Sequence, residues 1–353
     1  MELQRLPKKS GILDHMKNKR VTMREVAALA GVSLKTVSRV VNGEPGVAEQ
    51  TAEAVKDAIN KTGYRVDPQA QALRRTDRRS RTVGLLVSSV ANPFDAKIHA
   101  ALEEVAAEHS STVLALSSND DPNLTKQRAQ VLVNRQIDGL VFSPLGKSQK
   151  WLADLMGDRP VIAFDRQPHG LDVDAVVSDN FQGALRATRH LISGGHRRIA
   201  FLGDRDVIET AQIRRAGFER AMGESGVEIA PGLVRSNLPG EEAARMSAHE
   251  LLTGPEPPTA FFSAQNNLTA GVLRALKDLN MDEQIAVVSF DDLPHAELFK
   301  IGLTAITQDP ERIGRIAAER LFARLGGDID GPAETITVPT GFQIRGSGEI
   351  KPA

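Results

Sequence analysis

The chain is expected to fold as a small all-α helix-turn-helix head joined to a two-lobed α/β core. Three observations predict this. Residues 22–42, TMREVAALAGVSLKTVSRVVN, carry two short apolar faces of helical period on either side of a glycine. From Thr82 the pattern changes to short apolar runs alternating with amphipathic ones. The charge is also split. Residues 1–81 hold 17 Lys and Arg against 9 Asp and Glu, and the remainder holds 27 against 36, so a net charge of −1 conceals a basic head on an acidic body. That layout suits a nucleic-acid binder whose second domain does something else.

In the head, Val26, Leu29 and Ala30 fall at i, i+3, i+4 and predict the apolar face of a first helix. Gly31 supplies the sharp turn, and Ser33 is the expected N-cap of the second helix. There Val37, Val40 and Val41 repeat the spacing, which leaves Leu34, Lys35, Ser38, Arg39 and Asn42 on the opposite, mostly polar and basic face. A helix packed by valines that offers Lys35 and Arg39 outward fits a major-groove reader. The alternative is an ordinary αα-hairpin whose basic residues only solvate its outer face. A Gly/Pro loop (43–46) leads to a third helix over 47–61, with Ala54, Val55, Ala58 and Ile59 as its apolar face. Gly63 ends it, and Tyr64 closes the small core.

Residues 1–19 read as a flexible extension, with Met16 an alternative start, and 20–66 as the head. Residues 67–81, DPQAQALRRTDRRSR, have too few apolar side chains to be stable alone. They read as a hinge that folds on a partner, a phosphate backbone being the natural one for five arginines.

Residues 82–353 form the core. Strands are expected at TVGLLVS (82–88), TVLAL (112–116), GLVFSP (139–144), PVIAFDR (160–166), RIAFLG (198–203), TAFFSA (259–264) and IAVVSFDD (285–292). Helices are expected over 95–109, 125–136, 181–192, 210–223 and 268–279. Near-continuous apolar strands between helices imply parallel sheets covered on both faces. About 270 residues of this pattern exceed what one doubly wound sheet needs, so two lobes facing a cleft are predicted, with ligand met at the carboxyl ends of strands. No apolar run approaches the ~18 residues of a membrane span, and the N-terminus lacks a secretory apolar segment. Without cysteine there is no disulfide framework and no thiolate site, so a cytoplasmic location is the expectation.

These segments resemble the LacI/GalR family of bacterial transcriptional repressors from Val21 onward. VTMREVAALAGVSLKTVSRVVNG resembles the family's head-piece, and GYRVDPQAQALR its hinge, with Asp67 where Asn is common. ANPF (91–94), IDGLVFSP (137–144), PVIAFDR, SDNFQGA (178–184), GHRRIAFLGD (195–204), RRAGFERAM (214–222), VVSFDD (287–292) and LTAITQD (303–309) follow in the family's order. The resemblance implies a core similar to periplasmic sugar-binding proteins, a homodimer, and two head-pieces on two operator half-sites. It implies base contacts from Leu34, Lys35 and Arg39, and phosphate or scaffolding roles for Thr22, Ser33, Thr36, Ser38 and Asn42. It places Leu73, followed by Arg74, as a minor-groove wedge at the operator centre; otherwise Leu73 is a plain linker leucine. Ala48 departs from the family, where Ser usually caps the third helix, at a cost of about 1 kcal/mol.

For the cleft the resemblance implies Phe94, Asp95, Asp165, Arg166, Asp179, Arg214, Asn266, Asp291 and Gln308 as effector contacts. Fixed carboxylates, a guanidinium and an aromatic face suit a polyol. Arg214 could instead pair with a carboxylate on its helix, and Asp291 could cap its strand. Where many sugar-responsive relatives carry Asn-Asp, this chain has Gln265-Asn266-Asn267, an amide in place of the acid. A pentose, nucleoside or related sugar derivative is the first expectation.

An enzyme is the weaker reading. G-x-G-x-x-G, G-x-S-x-G, P-loop and H-E-x-x-H motifs are absent, and the eight histidines lack metal-ligand spacing. A sugar-binding receptor without a DNA role would not explain the head. No cofactor, metal or membrane partner is expected beyond operator DNA and a small-molecule effector.

Overall fold

The computed structural model describes residues 21–42, 44–64 and 79–352. Two compact units divide the chain at Met1–Ser80 and Arg81–Ala353. The expected extension over 1–19, most of the hinge, Leu73 and Arg74 lie outside the described residues.

The described residues of the first unit form three helices, α1 (Met23–Ala30), α2 (Leu34–Val41) and α3 (Glu49–Thr62). Gly31 turns the chain at φ 67°, a left-handed value that costs glycine little. Ser33 caps α2 by accepting from the Thr36 amide at 3.1 Å. Val26, Ala27, Val37, Val55 and Ala58 form the core, with Val40, Val41, Ile59 and Tyr64 packed against it. Leu29 is a correction: it is 54% exposed, and Ala27 takes its place on the buried face. The extra i, i+1 position widens the stripe of α1, and Leu29 falls just beyond it. Ala48 stands at the N-cap of α3 without a side-chain hydrogen bond.

The second unit contains two six-stranded sheets. The first is built from β1 (Thr82–Val87), β2 (Thr112–Ser117), β3 (Gly139–Phe142), β4 (Val161–Phe164), β5 (Asp174–Ser178) and β11 (Thr335–Val338), in the order β11-β5-β4-β3-β1-β2, all parallel. The second holds β6 (Ile199–Leu202), β7 (Val234–Arg235), β8 (Ala260–Ser263), β9 (Ala286–Phe290), β10 (Thr304–Thr307) and β12 (Gly341–Gln343), in the order β12-β10-β9-β8-β6-β7. Only β12 runs antiparallel to its neighbour. Helices α4 (Pro93–Glu108), α5 (Pro122–Asn134), α6 (Lys150–Met156) and α11 (Pro310–Gly326) accompany the first sheet; α7 (Asn180–Ser193), α8 (Glu209–Glu224), α9 (Glu241–Thr253) and α10 (Asn266–Asp278) accompany the second. Among the described residues no helix is long and apolar enough to cross a membrane.

Each lobe has a core on both faces of its sheet. In the first lobe, Leu85, Ile98, Phe164 and Leu321 lie on one side and Leu86, Phe142 and Leu152 on the other. Three helix pairs approach closely through glycine, one of them α10 on α9, where a Cβ on Gly271 would meet the Glu241 carbonyl and stand 2.8 Å from the Arg245 amide nitrogen. A Cβ on Gly217 of α8 would stand 2.7 Å from the Phe181 carbonyl of α7, and one on Gly314 of α11 would stand 2.8 Å from the Ile98 carbonyl of α4.

The chain passes between lobes three times: after β5, after β10, and between β11 and β12. The strand ends of both sheets and these crossings set the floor of the cleft.

Candidate functional site

Two aspartates with the same backbone geometry face the cleft. Asp165 follows β4 with φ 67°, and Asp291 follows β9 with φ 72°. Each amide still bonds across the sheet, Asp165 N to Val176 O at 2.9 Å and Asp291 N to Ile306 O at 2.9 Å. The left-handed turn at each strand end re-aims the side chain, an uncommon backbone state that costs free energy.

Arginines meet these acids. Arg166 Nη1 donates to Asp120 Oδ1 at 2.7 Å, and its Nε lies 3.2 Å from Asp165 Oδ2 as an ion pair without hydrogen-bond alignment. Arg214 reaches the cleft from α8. Its Nε donates to Asn180 Oδ1 at 2.8 Å, its Nη1 to the Ala264 carbonyl at 2.8 Å, and the guanidinium lies 3.7 Å from the Phe290 ring centre. Its Nη1 is 3.7 Å from Asp291 Oδ2, so its acidic partner comes from β9 and not from its own helix. Gln308 Nε2 donates to Asp291 Oδ1 at 2.6 Å, while its Oε1 is buried without a partner.

Burial governs the electrostatics. Asp95 on α4 is 3% exposed, and burial pushes its carboxyl up to about 6, although Ser88 Oγ donates to it at 2.6 Å and the Ser89 amide at 2.8 Å. Burial likewise raises Asp165, against the pull of Arg166 and Arg214. Burial lowers Arg214, with Asp291 and Asp165 opposing. For Arg166 burial also pulls down, but Asp120 and Asp165 outweigh it and hold the guanidinium charged.

Polar contacts join the lobes across the cleft, beside a buried apolar cluster of Leu145 from the first lobe with Ile208 and Ala211 from the second and a His169–Glu209 pair at 3.6 Å. Arg205 Nη2 lies 3.3 Å from Asp120 Oδ2, Asn266 Nδ2 donates to Asn92 Oδ1 at 3.1 Å, and the Gln167 amide donates to Glu209 Oε2 at 2.6 Å.

Phe94, Asp95, Asp165, Arg166, Arg214, Asp291 and Gln308 therefore come together around one cavity with an empty volume of ≈ 510 Å³, counting solvent at its mouth. Asn266 lines an adjoining cavity instead. Asp179 is a correction: it lines neither, because it sits at the first crossing between lobes and its carboxylate caps α7 by accepting from Gln182 N at 3.2 Å. Its neighbour Asn180 is the residue that meets Arg214. Of the two amides beside Asn266, Gln265 lines the first cavity and caps α10, while Asn267 is exposed. Asp120, Asp204 and Arg205 were not foreseen. The only available signal was their place just after strands, since Asn119-Asp120 is a left-handed turn pair with no periodicity.

On the head, Leu34 and Lys35 are exposed in the first turn of α2. Arg39 is half-buried and lies 3.7 Å from Glu44, which Asn42 Nδ2 also approaches at 3.4 Å. The Ser33 and Thr36 hydroxyls are 2.9 Å apart, Ser38 accepts from Asn42, and Thr22 donates its amide to Glu25 at 2.6 Å. Polar groups of α2 are thus held by local contacts while its first turn faces solvent.

Comparison with known proteins agrees with both units. Residues 22–67 match the family described as bacterial regulatory proteins, lacI family, and residues 188–348 match the periplasmic binding protein-like domain. The HTH-type transcriptional regulator GalS of Salmonella typhimurium is 31% identical over 323 residues, covering 91% of this chain and 94% of the relative. A transcriptional regulator CelR–cellobiose complex is 30% identical with a TM-score of 0.68, covering 93% of this chain and all of that one. The lac repressor dimer bound to operator and an anti-inducer shares the fold, with a TM-score of 0.81 at 23% identity over 94% of this chain and 99% of that one. A helix-turn-helix head, two α/β lobes around a polar cleft and this identity over nearly the whole chain make the protein a member of the LacI family of bacterial DNA-binding transcriptional regulators.

Proposed function

We propose that this regulator is a homodimeric repressor whose operator affinity is set by a neutral polyhydroxyl effector, a sugar or nucleoside, held between the two lobes. One observation carries the effector class. The cleft's arginines are already matched by aspartates of the same chain, and the buried Gln308 Oε1 is left without a partner. A buried acceptor that lacks a donor is costly until a ligand hydroxyl supplies one. Asp95, Asp120, Asp165 and Asp291 outnumber Arg166 and Arg214 around the cavity, which disfavours a phosphosugar. The cellobiose complex of a relative is consistent with a carbohydrate. The protein acts by binding rather than by catalysis, with no cofactor, and works in the cytoplasm.

On DNA, Leu34, Lys35 and Arg39 read base edges, and Thr22, Ser33, Thr36, Ser38 and Asn42 hold the helices and touch phosphates. Leu73 wedges the minor groove beside Arg74. Coupling between cleft and head is of the usual size, about 1–3 kcal/mol.

The test is a thermal-shift screen of the full chain against sugars, sugar acids, phosphosugars and nucleosides, paired with fluorescence anisotropy on duplexes selected from a randomised palindromic pool. A neutral polyol is expected to raise the melting temperature and change DNA affinity. Arg214→Ala and the milder Gln308→Leu abolish or shrink that shift. Leu73→Ala weakens DNA binding and leaves the shift intact. A response to phosphosugars alone, or a shift that persists undiminished in both cleft variants, overturns the effector reading. Unchanged DNA affinity in Leu73→Ala overturns the wedge.

A further inference from the structure

The cleft continues past Phe94, Asp291 and Gln308 into a second chamber, with an empty volume of ≈ 690 Å³ including solvent at its mouth. It is the larger of the two, and its chemistry differs. Pro93, Phe94 and Lys97 of the first lobe face Leu293 and Pro294 after β9, with Pro310 at the start of α11. Three prolines present C–H surface with no amide donor and a fixed φ, so this wall is apolar and rigid.

The charged groups at its rim are already engaged. Lys97 Nζ pairs with Glu311 at 3.2 Å. Asp292 accepts from both terminal nitrogens of Arg345, at 2.9 and 2.7 Å. The two helix N-termini that meet there are capped from within, Asn92 Oδ1 accepting from Phe94 N at 3.1 Å and Asp309 Oδ1 from Arg312 N at 3.0 Å. Lys97 and Asp292 thus each have an opposite partner of the same chain. An occupant gains there by covering apolar surface.

We infer that the effector has two rings: a polyhydroxyl ring in the inner chamber and, joined to it, a neutral ring with an apolar face in the chamber lined by Pro93, Phe94, Leu293, Pro294 and Pro310. This rests on the effector reading above and narrows it, since a monosaccharide held by the inner chamber's polar groups would leave the larger, apolar-walled chamber uncovered. A second pyranose, an aryl aglycone and a nucleobase all offer such a face.

The experiment is calorimetric titration of the full chain with matched pairs of probes. Glucose, galactose and ribose are each compared with a two-ring counterpart: a β-linked disaccharide, the p-nitrophenyl glycoside and, for ribose, the nucleoside. The two-ring member of a binding pair is expected to bind roughly tenfold tighter or more, as burial of one apolar ring face gives. Which counterpart gains most identifies the second ring. Leu293→Asp, and separately the exposed Pro294→Asp, are expected to remove that gain and leave the one-ring affinity unchanged. Equal affinity for one-ring and two-ring members, or a gain that survives both substitutions, overturns the inference and leaves the polyol reading standing. Binding by none of the pairs overturns the polyol reading, and this inference with it.

Discussion

Asp95 shows how a single residue carries the tension of this cleft. Its carboxyl is buried and accepts from Ser88 and Ser89, with Arg166 favouring its charged form and Asp165 opposing it. Its folded pKa lies at about 6 against an ordinary value of 3.8. Between those values the folded chain holds a proton that the unfolded chain has released. Its contribution to stability is therefore fully present below 3.8 and is lost as pH rises through about 6. The loss is on the order of 3 kcal/mol for a shift of about two units. Asp95→Asn cannot ionise and can still accept from the Ser89 amide. Its melting temperature should exceed the parent's by more at about pH 7.5 than at about pH 4.5, as scanning calorimetry can measure. A difference that does not vary with pH would mean that Asp95 stays ionised throughout. At this scale the sequence was informative where chemistry and position coincide. Arg214 and Asp291 sit in recognisable segments and do meet. Asp120 and Arg205 sit in turns, where no periodicity marks which side chain turns inward.

Helices and strands were legible in proportion to their apolar patterning. The five core helices that the patterning predicts begin and end within a few residues of expectation, α6, α9 and α11 carry no such prediction, and Ser33 and Gly63 cap where capping chemistry says they should. β7 with two residues and β12 with three are too short to show a period, and β11 lies at a sheet edge with exposed side chains, so neither alternation nor an apolar run betrayed them. The third helix of the head carries the clearest element-scale prediction. Ala48 has the extended backbone of an N-cap, φ −60° and ψ 141°, but no side-chain oxygen for the first-turn amides. Ala48→Ser supplies one without new strain and should stabilise α3 by about 1 kcal/mol. Amide hydrogen exchange in α3 should slow by about fivefold, which is what that free energy converts to. Unchanged exchange would show that water already satisfies those amides at no cost.

For the whole molecule, two lobes were legible because the core holds too many strand–helix repeats for one sheet. The three crossings were not, because only tertiary pairing sends α11 and β11 back to the first lobe and β12 to the second. The lobes are held together by those crossings, by the apolar cluster of Leu145, Ile208 and Ala211, and by a few polar contacts across the cleft. Arg205 is the most informative of them. It reaches Asp120 from the opposite lobe through its Nη2 at 3.3 Å, and through its Nη1 to the Asp120 carbonyl at 3.3 Å. Its side chain is about one-third exposed, so solvent screens the pair and its worth is roughly 0.2–1 kcal/mol. Asp120 keeps Arg166 as a partner when Arg205 is removed, so no buried charge is stranded. Arg205→Ala should therefore leave the fold intact, loosen the ligand-free lobes and make effector binding bear the cost of closing them. Small-angle scattering of the ligand-free chain should give a larger radius of gyration than the parent, converging on the parent's at saturating effector. Effector affinity should fall roughly two- to fivefold, the same free energy seen from the binding side. Because linkage is reciprocal, the effect of effector on DNA affinity should change by no more than that factor. An unchanged radius together with unchanged affinity would mean that the remaining contacts, Asn92–Asn266, Gln167–Glu209, His169–Glu209 and the apolar cluster of Leu145, Ile208 and Ala211, hold the lobes without Arg205.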